Sequence, residues 1–274
     1  MNELLTAILW LSGIGLFCGL ALSLAARFFA VHVDPRIEKI HAALPGANCG
    51  GCGFPGCEGY ATAIVAGKAP PNRCNPGGPD VRNAIAAIMG LEKTTEKHVP
   101  MVAFVKCGGD NAAAKRRFLY DGLTDCAAAT AIAGGDKSCT YGCLGYGSCA
   151  RVCTSNAIHV TEGGIARVDP DRCIACGLCV EACPRHVIEL VPKASTVRVQ
   201  CNSPDPGAVV RKNCKAGCIG CRLCAKSAGE AIQINGFLAR VNYDIPFPEC
   251  DAVAKCPAKC LRRYDVQPPS PASK

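Results

Sequence analysis

One run of cysteines limits what this chain can become more than any other feature: Cys173-Ile-Ala-Cys176-Gly-Leu-Cys179-Val-Glu-Ala-Cys183-Pro184. Its spacing, C-x2-C-x2-C-x3-C-P, is the ligand run of bacterial ferredoxins that carry two iron–sulfur clusters. Three thiolates set two residues apart can wrap one [4Fe–4S] cube, while the fourth, followed by proline, ligates a second cube. A partner set is therefore required, and Cys139, Cys143, Cys149 and Cys153 lie just upstream. Stepping back from Cys153 at the ferredoxin intervals meets Cys149, Tyr146 and Cys143, so a tyrosine stands in one ligand position and Cys139 is the nearest replacement. The expected clusters are Cys153 with Cys173, Cys176 and Cys179, and Cys183 with Cys139, Cys143 and Cys149. Zinc also takes sets of four cysteines, but its chemistry does not call for the crossing Cys-Pro.

The chain has 274 residues, of which 23 are cysteine. Cysteine at that density normally marks disulfides in a short secreted chain. Here the chain is long and its cysteines are bunched at C-x2-C spacing, which reads as metal. Aromatic residues make up only 5%, so several small domains held by inorganic centres are expected rather than one large core. Free thiolates and oxygen-sensitive clusters imply a reducing compartment. The formal charge of +8 bears on partners. Nucleic acid is disfavoured because the Lys and Arg are scattered without stacking aromatics, whereas an acidic protein partner would be steered by opposite charge.

Leu4 to Ala26 carries no charged residue, and a helix over that stretch spans roughly 34 Å, enough to cross a bilayer. Gly13, Gly15 and Gly19 suit close packing against other membrane helices. Glu3 precedes the span and Arg27, Arg36 and Lys39 follow it, so the bulk of the chain is expected on the cytoplasmic side of the membrane. A cleaved signal peptide fits less well, since the stretch lacks a basic leader and is long. Cys18, inside the span, reads as a small apolar residue.

After a linker and short helix over residues 31–47 comes Asn48-Cys49-Gly-Gly-Cys52-Gly-Phe-Pro-Gly-Cys57, then Cys74. Glycines among these thiols let the backbone curl so that N–H groups face sulfur. A further cubane is expected on Cys49, Cys52, Cys57 and Cys74, with zinc as the alternative. One helix is expected from Glu58 to Ala66, closed by Gly67, and another capped by Asp80 and stopped by Gly90. Val102 to Val105 reads as a strand. Cys107 and Cys126 either line the altered loop of the Cys139 cluster or are buried thiols, the latter being favoured.

The pattern then repeats. Ala157–Val160 and Ile165–Val168 flank a Gly-Gly turn, and Ala231–Ile234 and Leu238–Val241 flank Asn235-Gly236, each pair reading as a hairpin. Cys139, Cys143 and Cys149 share their spacing with Cys214, Cys218 and Cys224, which marks an internal repeat. In the second copy Cys218, Cys221 and Cys224 with Cys256-Pro257 make one set, Cys214 being the competitor for the fourth place. The other set has Pro246, Glu249, Ala252 and Ala228 at its ligand positions and is read as lost. Cys201, Cys250 and Cys260 are unassigned, His159 and His186 read as surface or packing residues, and the Pro- and Ser-rich tail from Gln267 reads as disordered. No nucleotide-binding glycine motif or catalytic triad is present, and no catalytic residue is expected. Clusters set close together would make an electron wire.

With these residues in view, the chain resembles the B subunit of the Rnf complex, the ion-translocating ferredoxin:NAD oxidoreductase. The resemblance covers almost the whole chain. It rests on the anchor helix, on Cys49 to Cys57 with Cys74, on Tyr141-Gly-Cys-Leu-Gly-Tyr-Gly-Ser-Cys149, and on Cys173 to Pro184. It implies a subunit of a membrane translocase that takes electrons from reduced, acidic ferredoxin and passes them toward NAD through other subunits while Na⁺ or H⁺ is moved. The missing fourth ferredoxin-type site departs from the pattern. Some similar proteins reduce a redox-sensing regulator instead, and a non-catalytic redox sensor is a third reading. The expected architecture is α+β, with four clusters. It comprises a single transmembrane helix (1–30), a small helical Fe–S domain (31–95), a two-cluster ferredoxin-like module (96–194), a degenerate one-cluster module (195–264) and a tail (265–274).

Overall fold

The computed structural model describes residues 2–29, 34–92 and 99–264. The first element, α1 (Asn2–Phe28), contains a segment, Leu5–Phe28, long and apolar enough to cross a membrane. Trp10, Leu11, Phe17 and Leu22 all lie uncovered on it. A helix apolar on every side, with no protein against it, belongs in lipid.

Three helices follow. Asp34 caps α2 (Pro35–Ala43) by accepting a hydrogen bond from the Arg36 N–H at 2.8 Å, with Pro35 in the first turn. α3 runs Gly56–Val65 and α4 runs Gly78–Met89. Both begin earlier than their polar residues suggest. Pro55 stands at the cap of α3, and Pro79 lies in the first turn of α4 behind a Gly77 cap. Proline's fixed φ thus sets each start, leaving Asp80 in the first turn of α4, where its charge suits the helix dipole. Gly90, at φ 70°, ends α4. Ile40, Tyr60, Ile64 and Ile85 form the buried core between the three helices. The Tyr60 hydroxyl donates to the Pro70 carbonyl at 2.7 Å and accepts from the Arg73 N–H at 3.0 Å, fastening the loop that carries Cys74.

The remainder is one topology used twice. In the first module, β1 (Met101–Val105) pairs antiparallel with β4 (Ile188–Pro192), and β2 (Ile158–Val160) pairs with β3 (Ala166–Val168) inside them. Three short helices sit in the connections: α5 (Cys126–Ala131), α6 (Ser148–Arg151) and α7 (Leu178–Glu181). In the second module β5 (Val197–Val199) pairs with β8 (Leu261–Arg263) and β6 (Ile232–Asn235) with β7 (Leu238–Val241), with α8 (Gly207–Asn213) and α9 (Leu223–Ala228) between β5 and β6. Each hairpin falls where alternation and turn residues place it, with Gly236 at φ 63° supplying the second turn.

The modules are joined along their sides. Arg198, buried in β5, lies over the rings of Phe104 from β1 and Tyr264 after β8, at 5.3 and 5.1 Å. Backbone bonds run from Gly108 N–H to the Gln200 carbonyl (3.0 Å), from Lys115 to Asn213 (2.9 Å) and from Lys215 to Ala113 (2.9 Å). In the second module two of the positions read as a lost ligand set, Ala252 and Ala228, are buried in the apolar core with Phe247 and Val253 against it, while Pro246 and Glu249 are exposed. The tail from Gln267 lies outside the described residues.

Candidate metal centres

Three loops of the two modules share one backbone shape. Cys143 to Cys149, Cys173 to Cys179 and Cys218 to Cys224 each carry left-handed residues at the third and fifth positions. These are Gly145 and Gly147 (φ 84° and 78°), Ala175 and Gly177 (53° and 88°), and Gly220 and Arg222 (66° and 62°). Alternating left-handed residues turn successive N–H groups to one side, forming a concavity suited to negative charge. Ala175 and Arg222 have no glycine-like freedom there, and such strain, of order 1–3 kcal/mol per residue, gathers at functional sites. The last cysteine of each loop opens a short helix, α6, α7 or α9.

A second shared device presents the crossing cysteine. Asn156, His186 and Lys259 donate their N–H to the carbonyls of Cys153, Cys183 and Cys256 at 3.1, 3.0 and 3.1 Å. All three adopt left-handed φ of 48–50°. Cys256 thus repeats the geometry of Cys153 and Cys183.

These devices converge on cavities. Cys153, Cys173, Cys176 and Cys179 surround one of about 10 Å³. Cys218, Cys221, Cys224 and Cys256 surround another of about 20 Å³, with Cys260 beside them and its Sγ 3.6 Å from that of Cys256. Cys143, Cys149 and Cys183 surround a third of about 20 Å³, and there the fourth sulfur is Cys126. Cys139 does not join them; it lines a different cavity, as does Cys214. The reason lies in the insertion between β1 and loop Cys143–Cys149. Asp125 caps α5 by accepting from the N–H groups of Ala127 and Ala128 at 2.8 and 2.9 Å, and takes a hydrogen bond from the Ser148 hydroxyl at 2.8 Å. The same hydroxyl accepts from the Cys126 N–H at 2.8 Å, and Arg151 pairs with Asp125. This network seats Cys126 against α6, beside the place left by Tyr146.

In the first domain Cys52, Cys57 and Cys74 pack with the helical core, and the Asn48 side-chain oxygen accepts from the Cys57 N–H at 2.8 Å. Burial, and then the neighbouring thiols of Cys57, Cys49 and Cys52, push the Cys74 thiol above its ordinary range. This loop touches the ferredoxin module directly: a Cβ on Gly51 would come within 2.5 Å of the Cys176 carbonyl oxygen.

Two buried thiols of the first module are unsuited to remain as thiolates alone. Burial and then the like charge of Cys143, Cys126 and Cys183 push Cys149 up to about 12, and burial with Cys173 and Cys176 does the same to Cys179. A polynuclear cation would reverse this. Backbone N–H groups already face sulfur, from Ala157 to Cys153 at 3.2 Å and from Ala103 to Cys173 at 3.4 Å, the kind of contact that tunes cluster potentials. Among the described residues no group of three or more His, Cys, Asp or Glu converges on a point that could hold a single metal ion.

Residues 44–76 match a family described as "Putative Fe-S cluster" and residues 166–189 one described as "4Fe-4S binding domain". The B subunit of a Na(+)-translocating ferredoxin:NAD(+) oxidoreductase complex from Acetobacterium woodii is 43% identical over 262 residues, covering 95% of this chain and 78% of the relative. The chain belongs to the family of Rnf B subunits. The B subunit of a proton-translocating ferredoxin:NAD(+) oxidoreductase complex from Clostridium ljungdahlii is 41% identical, covering 96% of this chain and 93% of its own. The B subunit of an ion-translocating oxidoreductase complex from Methanosarcina acetivorans is 39% identical, covering 96% and 97%.

In this member of the Rnf family, sequence reasoning weighed Cys126 for the altered loop but favoured a buried thiol, whereas it lines the cavity of Cys143, Cys149 and Cys183. Its signal was present: Asp125 followed by Cys-Ala-Ala-Ala-Thr-Ala is a capped helix start, and Tyr146 announces that one sulfur must come from elsewhere.

Proposed function

We propose that the chain is a membrane-anchored electron carrier that accepts electrons from reduced ferredoxin and delivers them toward NAD within an ion-translocating complex. The observation that carries this reading is the recurrence of one loop geometry around cavities that gather four cysteines twice in the first module and five in the second. The ligand sets are Cys49, Cys52, Cys57 and Cys74; Cys126, Cys143, Cys149 and Cys183; Cys153, Cys173, Cys176 and Cys179; and Cys218, Cys221, Cys224 and Cys256. [4Fe–4S] cubes held there would supply reversible one-electron chemistry at low potential.

The chain's own residues do the rest. Cys49 lies near enough to Cys176 to push its thiol up, and Cys179 near enough to Cys149 to do the same. The first domain, the Cys173 set and the Cys143 set are therefore successive neighbours. Val105, Ile158, Ile165 and Ile188 bury the sulfurs between them, keeping water out. At the far end Cys221 is exposed, and the exposed cations Arg222, Lys226 and Lys259 lie on its loop and on the two segments packed beside it. That is the surface an acidic ferredoxin would meet. The helix α1 holds the assembly at the bilayer, with the modules on the cytoplasmic side.

The experiment is to mix the full chain, purified anaerobically in detergent, with reduced ferredoxin. Absorbance near roughly 400 nm should bleach. A colourless preparation, or one that ferredoxin leaves oxidised, overturns the reading.

A further inference from the structure

Four of the seven cysteines that the ligand sets leave aside do not scatter. Cys107, Cys139, Cys201 and Cys214 line one cavity between the two modules, about 20 Å³ in volume, the size found at the Cys143 and Cys218 sets. We propose that these four cysteines bind a further [4Fe–4S] cluster, built jointly by the two repeats, with Lys137 as its buried countercharge. The inference rests on the same reading of cysteine quartets as iron–sulfur sites.

Its symmetry is the first argument. Cys107 follows the last residue of β1 by two positions, as Val105-Lys-Cys107, and Cys201 follows β5 in the same way, as Val199-Gln-Cys201. Cys139 precedes Cys143 by four residues, as Cys214 precedes Cys218. Each repeat thus contributes the same pair, and the bond from Gly108 N–H to the Gln200 carbonyl holds the pairs face to face.

The lining is the second argument. A Cβ on Gly109 would stand 3.1 Å from the Cys214 sulfur and 3.7 Å from that of Cys107. One on Gly142 would stand 3.5 Å from the Cys139 sulfur and 3.6 Å from Cys107, and one on Gly217 would stand 3.8 Å from Cys201. Glycine thus stands at three places where backbone passes over these sulfurs. The Gly109 N–H also points at the Cys107 sulfur at 3.4 Å, like the N–H contacts at the other sets.

Lys137 is the third. It lines the cavity and is fully buried, yet among the described residues its ammonium donates only to the carbonyls of Gly109 at 3.0 Å and Gly164 at 3.3 Å, and no carboxylate there pairs with it. A buried ammonium without an anion is costly. A cube held by four thiolates is net negative and would supply that anion. Position is the fourth argument. Cys107 is a close neighbour of Cys143, and Cys201 of both Cys107 and Cys218, so this cavity fills the gap between the second module's set and the rest.

The test is a metal count on the full chain purified anaerobically in detergent, by iron and sulfide assay and native mass spectrometry. About twenty iron atoms per chain are expected, four for each of five cubes. Cys201→Ala and Cys214→Ala should each remove about four, one cube's worth, whereas Cys250→Ala should remove none. Lys137→Met should keep the iron and shift to lower potential the one EPR redox titration step that the Cys214→Ala chain lacks. About sixteen iron atoms, with Cys107, Cys139, Cys201 and Cys214 all open to alkylation, would overturn this site and leave the proposed carrier standing. Zinc in the wild-type cavity would likewise overturn it. A chain without any iron would overturn both. An unchanged titration in Lys137→Met would remove the countercharge.

Discussion

Tyr146 stands in the first ferredoxin loop where Cys176 stands in the second, each between two left-handed residues: Gly145 and Gly147 on one side, Ala175 and Gly177 on the other. The backbone of the first loop is therefore still shaped for a sulfur at Tyr146, while Cys126 supplies one from α5. Cys126→Ala is expected to lose one cube, about four iron atoms. Adding Tyr146→Cys to that variant should bring the iron back. Iron analysis and EPR of the two chains decide it; a double variant as empty as the single one would show that loop shape does not suffice.

Gly51 is pressed against the Cys176 carbonyl. Gly51→Ala should weaken the seating of the first domain on the ferredoxin module by about 1–3 kcal/mol, the usual cost of overpacking. The expected signature is loss of spin–spin broadening between the two clusters in EPR with iron content unchanged. Undiminished coupling would mean that the backbone yields without separating them.

The cations near Cys221 are expected to govern encounter rather than chemistry. Charge reversal of Arg222, Lys226 and Lys259 together should slow reduction by ferredoxin roughly tenfold or more at low salt, with the difference shrinking as ionic strength rises. Stopped-flow rates at several salt concentrations test this. A deficit insensitive to salt would place the ferredoxin surface elsewhere.

Proton linkage offers a check that needs no partner. Cys149 and Cys179 are pushed from the ordinary 9.0 up to about 12, mainly by burial. A raised folded value favours the neutral thiol, so the stability it contributes is complete below about pH 9 and lost as pH climbs toward 12. The chain stripped of metal should unfold at steadily lower urea across that interval. Loading it with iron and sulfide near pH 7 should release protons, since protonated thiols must become ligands. Absence of proton release on loading would show that the thiols were already ionised.

Much of this was legible in the residues because both hairpins and the Cys-Pro crossings are local patterns: a turn or a spacing names them outright. Val102 to Val105, Gly90 and the run Cys173 to Pro184 needed no tertiary knowledge. Cys126 and Cys139 were harder for one reason. Their destinations depend on how the insertion between β1 and Cys143 folds back, and that is settled by Asp125, Ser148 and Arg151 meeting across more than twenty positions of chain. The starts of α3 and α4 were displaced by Pro55 and Pro79, whose backbone constraint outweighs the capping preference of Asp80. The lost ligand set could be read from Pro246, Glu249, Ala252 and Ala228; that its place is packed with Phe247 and Val253 could not.

The pairing of first strand with last has a temporal meaning. While the ribosome is still translating residue 150, β1 has left the tunnel without its mate, and the cavity of Cys143, Cys149 and Cys183 is not closed until Ile188 of β4 has emerged. The second module waits in the same way for Leu261–Arg263. Cofactor delivery to these pockets is thereby delayed until each closing strand is made, and loss of Leu261–Arg263 would leave the distal module open, however intact its ligands.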